Sequence, residues 1–347
     1  MKKYQKMLIH GLMISMIYPS HPVLEHALPK LSDYGFFKNP ISNQIPIDRV
    51  YPYNIASPLF SDYAEKLRYI MIPDNKKISY DDELILDFPI GTVLIKTFYY
   101  LEDVRNKNSK RRLLETRLLK KISSEWIAIP YAWNDEQTDA ELALAGERVD
   151  VSWIHGDGRP INITYGIPNI NQCKSCHVYN NTIQPIGPKI RNLNIYTSFD
   201  TMVDENQLLK WVSLGILEPI DNLSKFPVTA SYENAKDWSI EERARAWLDI
   251  NCAHCHRSGG PAETSGLHLN LEELNPTKLG VFKPPVAAGR GSGGRLYNIV
   301  PGHPEKSIME FRINSTDPGI MMPELNRKLV HEEGLNLIRA WIRGIPD

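Results

Sequence analysis

Two short cysteine–histidine motifs are the residues of this chain whose types and spacing indicate chemistry. Residues 173–177 read CKSCH and residues 252–256 read CAHCH. Two thiols at this spacing can add to the two vinyl groups of one haem, and the adjacent histidine can then bind the iron. Because the two motifs contain all four cysteines of the chain, they predict two covalently attached c-type haems.

Each motif predicts its own set of haem contacts. Cys173 and Cys176 would attach the first haem, with His177 as the proximal iron ligand. In the second motif the same roles fall to three further residues, Cys252, Cys255 and His256.

Other uses of the cysteines fit the pattern less well. A Cys₄ zinc site would need pairs closer together than positions 173 and 252, and it would leave both trailing histidines without a role. A disulfide within C-x-x-C is tight and is usually redox-active rather than structural.

The distal ligand of the second haem is predicted in residues 320–323, IMMP, just before the last predicted helix. A thioether at this point of the chain suits a distal ligand. Of the two methionines, Met322 is favoured over Met321 because it is next to the proline. The alternative is that both methionines fill gaps in a core.

The distal ligand of the first haem is less well defined. Met202 is the only methionine between the two motifs and is the first candidate. His155, Met71 and an open or water-bound site are the alternatives.

Three other histidines and a glycine-rich stretch are not predicted to bind iron. His254 is expected at the surface, and His303 and His331 in a loop and a helix cap. Residues 289–294, GRGSGG, match G-x-G-x-x-G without the strand and helix of a dinucleotide site. They predict a loop on a haem edge, with Arg290 and Arg295 near the haem propionates, or else a solvent loop.

Composition restricts the class of protein. The 347 residues have a net charge of −1, with 42% hydrophobic and 23% charged residues, which is typical of a globular protein without a nucleic-acid partner. Residues 1–27 begin with lysines and continue into a short apolar run, which predicts a signal peptide ending near Ser20 or Ala27. The run is too short to span a bilayer, so no membrane span is expected in the mature chain.

Residues 28–165 are predicted to form a β-rich domain after an irregular N-terminal segment. Short apolar runs separated by turn signals indicate strands, and the candidates are residues 67–72, 84–88, 92–100, 113–122, 125–131 and 161–165. One turn of helix is expected near residues 61–66, and a helix at 134–146.

Residues 166–225 form the predicted first haem segment and residues 236–347 the second haem domain. The first is too short to cover a haem by itself, so the β-domain is expected to supply part of its pocket. Ser239 and Glu242 form a capping box before a helix that leads to the second motif, and residues 332–343 have helical apolar spacing. The predicted fold class is α+β, an antiparallel β-domain followed by mostly α-helical, cytochrome c-like haem domains.

The chain also resembles a known family. Residues 57–66, 87–98, 171–177, 287–294 and 321–325 are similar to a group of bacterial diheme c-type cytochromes with an N-terminal β-rich region, often encoded beside a parallel β-helix protein. The resemblance covers about residues 31–345. It implies a periplasmic or exported electron carrier with no established substrate, and the short leader is the main departure.

The sequence therefore predicts periplasmic electron transfer through two haems, between redox partner proteins that it does not identify. The alternative is a diheme peroxidase-like oxidoreductase with one open haem. A third possibility makes the β-domain a docking module.

Overall fold

The computed structural model describes residues 22–81, 85–198, 204–325 and 327–346. The strands are β1 (Val50–Pro52), β2 (Glu65–Met71), β3 (Ser79–Tyr80), β4 (Leu86–Asp87), β5 (Val93–Leu101), β6 (Arg111–Ile122), β7 (Glu125–Trp133), β8 (Ala140–Leu142), β9 (Glu147–Ile154), β10 (Pro160–Ile167), β11 (Val178–Tyr179), β12 (Thr182–Ile183), β13 (Tyr196–Thr197) and β14 (Glu205–Asn206). The α-helices are α1 (Pro22–His26), α2 (Ile170–His177), α3 (Ile190–Leu193), α4 (Gln207–Ser213), α5 (Ile240–Asn251), α6 (Pro276–Leu279), α7 (Ile308–Ile313) and α8 (Glu332–Gly344).

A six-stranded antiparallel sheet, in the order β1-β2-β5-β6-β7-β8, is the largest element of the described chain. Its central strands consist mainly of the β-branched, aromatic and leucine residues that suit a pleated surface. Four two-stranded ribbons accompany it, and the longest pairs β9 with β10. The predicted strands at 67–72, 92–100, 113–122, 125–131 and 161–165 coincide with β2, β5, β6, β7 and β10.

The two faces of the sheet bury different parts of the chain, because side chains alternate along each strand. On one face Ile95 and Ile129 pack against Phe36 and Phe37 of the N-terminal segment. On the other face, Ile70, Leu94 and Trp126 are packed with residues of α3 and α4, including Leu193, Leu208 and Trp211. Helices α3 and α4, which belong to the predicted first haem segment, therefore lie against the sheet.

Helices α5 and α8 form the core of the C-terminal region. Leu248 of α5 is buried with Leu335, Ile338 and Ile342 of α8. The Ser239 side chain accepts a hydrogen bond from Glu242 N, and the Glu242 carboxylate accepts one from Ser239 N at 2.9 Å, which confirms the predicted capping box.

The prediction of mostly α-helical haem domains is wrong. The chain is β-rich, and among its described residues only α5, with 12 residues, and α8, with 13, are longer than eight residues. Long connections from 252 to 331 contain 3₁₀ turns and two helices of four and six residues. Proline, which interrupts helices, is more frequent than usual in the chain, with 25 residues, and favours short elements.

Two local predictions are also wrong. Residues 134–146 contain turns and β8 rather than a helix. Within this segment the Asn134 side chain accepts hydrogen bonds from Thr138 N and Asp139 N, a polar turn that competes with helix formation. Residues 61–64 form a turn before β2 instead of a helical turn, with Asp62 and Tyr63 at φ 51° and 64°.

The start of the described chain bears on the predicted leader, most of which lies outside the described residues. Val23 of α1 is buried in the core under the sheet. A leader that ended at Ala27 would remove this contact, whereas one ending at Ser20 would leave it. Among the helices described, none is long and apolar enough to cross a membrane.

Candidate functional site

The first motif is carried by α2 and ends where that helix ends, at His177. Asn169 and Gln172 form a capping box, and their reciprocal hydrogen bonds define where this short helix starts. Cys173 is buried and Cys176 and His177 are half-buried. One helical turn thus presents two thiols and an imidazole on neighbouring positions.

The hydrogen bond of His177 fixes its tautomer. Its Nδ1 lies 2.8 Å from the carbonyl oxygen of Gln184. A carbonyl only accepts, so Nδ1 donates its hydrogen and Nε2 keeps a free lone pair. A histidine that ligates a metal is usually oriented by such a bond from its other nitrogen. Burial lowers the pKa of His177 to about 4, with smaller contributions from Lys96 and Arg117, so the ring is neutral at pH 7.

The second motif follows α5 directly, because Cys252 is the residue that caps this helix. His256 Nδ1 lies 3.0 Å from Ser265 Oγ, and that hydroxyl donates its own hydrogen to Ala262 O at 2.7 Å. The serine oxygen therefore accepts from Nδ1, and Nε2 of His256 keeps its lone pair. His177 and His256 therefore have the same tautomer, although their Nδ1 atoms have different hydrogen-bond partners.

Burial, complete for Cys173 and partial for the other three cysteines, disfavours the thiolate form of these side chains. All four are free. Burial raises the pKa of Cys173 to about 11 and those of Cys252 and Cys255 to about 12. Redox-active C-x-x-C pairs instead have a lowered thiol pKa, so this environment does not favour dithiol chemistry.

The cysteines are also not arranged as a zinc site. Within the described part of the chain, no three histidine, cysteine, aspartate or glutamate side chains converge to chelate a metal ion. A tetrahedral site requires four such ligands at bonding distance of one ion.

A cavity, which we call the slot, lies between the sheet, α2 and α5. It encloses about 1580 Å³ of space, including its open mouth. Cys173, Cys176 and His177 line it, and largely apolar side chains complete the walls, among them Leu94, Leu119, Ala128, Pro185, Ile186, Trp247 and Ile250. A mainly apolar group suits these walls.

The loops that follow the two motifs contact each other in the folded chain. Asn180 N donates to Gly259 O at 3.0 Å, and the Arg257 guanidinium lies 4.0 Å from the centre of the Tyr179 ring. Gly259 has φ 72°, and a side chain there would collide with Asn180. The loops that follow His177 and His256 are thus fitted to one another.

An ion-pair network joins the start of α3 to α5, the helix that leads to the second motif. The carboxylate of Asp249, on α5 and buried, lies 3.1 Å from Lys189 Nζ and 2.9 Å from an Arg191 nitrogen. Burial alone would raise the pKa of Asp249, but the two cations lower it below its usual value. The network anchors α3, at the end of the first motif's loop, to the helix of the second motif.

The predicted distal ligands fall in different places. Met322, predicted for the second iron, lines the cavity beside the first motif, whereas Met321 is buried and does not. The two cysteines and the last histidine of the second motif do not line this cavity. Met202 lies outside the described residues. Met71 packs on the opposite face of the sheet, and His155 contacts the Tyr63 ring instead of the cavity.

Two histidines predicted to be peripheral are buried at the cavity. His254, predicted at the surface, is 7% exposed, lines the cavity and has no hydrogen-bond partner for Nδ1. His331 caps α8 as predicted, but it is also buried, stacks on the Phe60 ring at 4.3 Å and accepts a hydrogen bond from Trp247 Nε1. Neither environment is visible from the sequence, because both depend on contacts with distant segments.

The segment at 57–66, one of those that carry the family resemblance, attaches the C-terminal region to the sheet. Asp62 is buried, and its carboxylate accepts hydrogen bonds from Lys328 N and Leu329 N, each at 2.8 Å in the shorter contact. Phe60 N donates to the Asn251 side chain at 2.8 Å. The segment therefore touches both the end of α5 and the approach to α8.

The glycine-rich loop at 289–294 lies away from the cavity. Arg290 is exposed and pairs with Asp317 at 2.8 Å, and Arg295 is half-buried and stacks on the Phe311 ring at 4.2 Å. These arginines have protein partners in place of the predicted propionates.

Sequence reasoning missed a row of cationic side chains in the cavity. Arg68, Lys96 and Arg117 are directly opposite one another on β2, β5 and β6, and all three line the cavity. The available signal was a charged residue at the centre of a strand, VLIKTFYYL, whose remaining positions are apolar, aromatic or threonine. Comparison with known proteins adds nothing to these observations, since no family model, curated protein or solved structure matched the chain.

Proposed function

We propose that the chain is an exported diheme c-type cytochrome that transfers electrons through two covalently bound haems. The observation that carries the proposal is the state of both motifs: two free thiols beside a histidine whose Nδ1 is already hydrogen-bonded. Each haem iron would supply a centre that gains and loses one electron.

The residues present fit two such groups. Cys173, Cys176, Cys252 and Cys255 would form the thioether bonds, and Nε2 of His177 and His256 would bind the irons. Met322 is the proposed distal ligand of the second iron and Met202 that of the first. The slot beside the first motif would enclose a flat macrocycle and keep water from it.

Contact between the motifs supports transfer of electrons between the two centres. The loops after His177 and His256 touch through Asn180 and Gly259 and through Tyr179 and Arg257. Groups attached at these motifs would therefore be close neighbours. Redox partner proteins would deliver and remove the electrons.

The first test is expression of the chain with a haem-maturation system, followed by a haem assay on the denatured protein. Two covalent haems per chain are expected. The double variants Cys173→Ala with Cys176→Ala, and Cys252→Ala with Cys255→Ala, should each retain one, which makes each variant the control of the other. A parent chain without covalent haem would overturn the proposal.

Absorption spectra with carbon monoxide and peroxide separate a carrier from a catalyst. Two low-spin haems that react with neither ligand are expected of an electron carrier. One high-spin haem that binds carbon monoxide and consumes peroxide would instead establish the diheme peroxidase-like alternative.

A further inference from the structure

Arg68, Lys96 and Arg117 form one cross-strand row, in the middle of the sheet face that lines the cavity. The neighbouring row on that face, Ile70, Leu94 and Leu119, is apolar. Like charges directly opposite each other in a sheet destabilise it. An arrangement of three cations on a half-buried face therefore needs compensation.

Only one of the three cations, Arg117, is paired with a carboxylate of the protein. Glu115 is fully buried, and its carboxylate accepts hydrogen bonds from Arg117 Nε and Nη2 at 2.7 and 2.5 Å. The Tyr165 hydroxyl donates to the same carboxylate at 2.6 Å. With these three bonds Glu115 is occupied by Arg117 and Tyr165.

Arg68 and Lys96 have no such partner. In residues 22–81, 85–198, 204–325 and 327–346, neither side chain forms a hydrogen bond or an ion pair. Lys96 Nζ lies over the Phe98 ring, 5.0 Å from its centre. Burial lowers the pKa of Lys96 well below its usual value and also lowers that of Arg68. A buried cation without a partner is costly, so its presence in a cavity points to an anionic ligand.

We propose that Arg68 and Lys96 bind the two carboxylates of the group held in this cavity, which on the proposed function are the propionates of the first haem. The number of unpaired cations in the cavity, two, equals the number of carboxylates on the proposed group. The thiols of Cys173 and Cys176 line the same slot and would attach the group at its vinyl edge. This assigns to the sheet a role that sequence analysis gave to Arg290 and Arg295.

The test uses the fully haem-loaded protein, with an isotope label in the propionate carboxyl carbons, and redox-difference infrared spectra. Lys96→Met and Arg68→Gln should shift the labelled carboxylate bands of one haem and lower its midpoint potential, because a nearby cation favours the reduced iron. Lys107→Met, which removes an exposed lysine from the same domain, should change neither. Lys96→Arg should retain the parent spectrum.

Three outcomes would overturn the assignment. Labelled bands that are identical in parent, Lys96→Met and Arg68→Gln would show that the cations do not contact the propionates. A change from low spin to high spin in Lys96→Met would make Lys96 an iron ligand. A saturable response of the parent's potential to added succinate, absent in Lys96→Met, would assign the site to a free carboxylate.

Failure of the proposed function is recognised separately, because a parent chain without covalent haem fails before any variant is compared. If Lys96→Met does not assemble, Arg68→Gln and Lys96→Arg are compared with the parent by the same spectra. Identical bands in Arg68→Gln would then overturn the assignment.

Discussion

At the scale of single residues, Met321 and Met322 are adjacent but occupy different environments. Met322 lines the cavity and Met321 is packed in the protein interior. We predict that Met322→Ala weakens the methionine–iron charge-transfer band of the oxidised protein to roughly half, because it removes the thioether ligand of one of the two irons, and lowers one midpoint potential. Met321→Ala, measured in the same spectra, should retain the band and lose only stability. A band of undiminished intensity in Met322→Ala would contradict the assignment.

His331 gives a prediction for acid stability. Burial lowers its pKa to about 4, whereas an unfolded chain has a histidine pKa near 6.5. The unfolded state therefore binds a proton at higher pH than the folded state, and stability is lost as the pH falls from 6.5 to 4. The difference between these two pKa values corresponds to a loss of roughly 3 kcal/mol in the free energy of unfolding.

The variant His331→Phe checks this prediction. It should be less stable than the parent at pH 7 by about 1–3 kcal/mol, because Trp247 Nε1 loses its acceptor. Its stability should then fall less steeply between pH 6.5 and 4, as measured by denaturant unfolding at several pH values. Equal slopes for parent and variant would mean that His331 titrates normally in the folded protein.

At the scale of elements, the crossing of α5 and α8 depends on Gly334. A Cβ at this position would lie 2.7 Å from His331 Nδ1 and closer still to the Trp247 indole. Alanine usually stabilises a helix relative to glycine, but here the collision with two buried rings dominates. We predict that Gly334→Ala destabilises the protein by about 1–3 kcal/mol.

Gly344 in the last turn of the same helix provides the matched control. No atom lies within 4 Å of a Cβ built there. Gly344→Ala should therefore be neutral or slightly stabilising in the same thermal unfolding experiment. If both variants behaved alike, close packing at the crossing would not be the cause.

At the scale of the whole molecule, the sheet is part of the first site and not a separate module. The cavity beside Cys173 has walls from β2, β5, β6 and α5. The second motif instead follows α5, whose core with α8 lies within the C-terminal region. We predict that residues 236–347, expressed alone with the maturation system, bind one haem with a low-spin spectrum.

A second fragment, residues 166–225, contains the first motif without the sheet. It should not yield a stable low-spin haem, because the sheet forms one wall of the slot. The haem content and the spectra of the two fragments are the measurements. A stable first haem in the isolated fragment would show that the β-domain is dispensable for this site.

The sequence determined the two motifs, because their chemistry depends on a spacing of a few residues. It also determined the central strands, through short apolar and β-branched runs, and the start of α5, through the Ser239–Glu242 capping box. These are local features, and local residues suffice to specify them.

Only the tertiary structure decided what surrounds the motifs. The burial of His254 and His331, the attachment of Asp62 to residues 328 and 329, and the row of Arg68, Lys96 and Arg117 all join residues distant in sequence. The helical content of the haem regions was overestimated for the same reason. Long connections in this chain are stabilised by contacts with the sheet and with each other, and no periodicity in the sequence records such contacts.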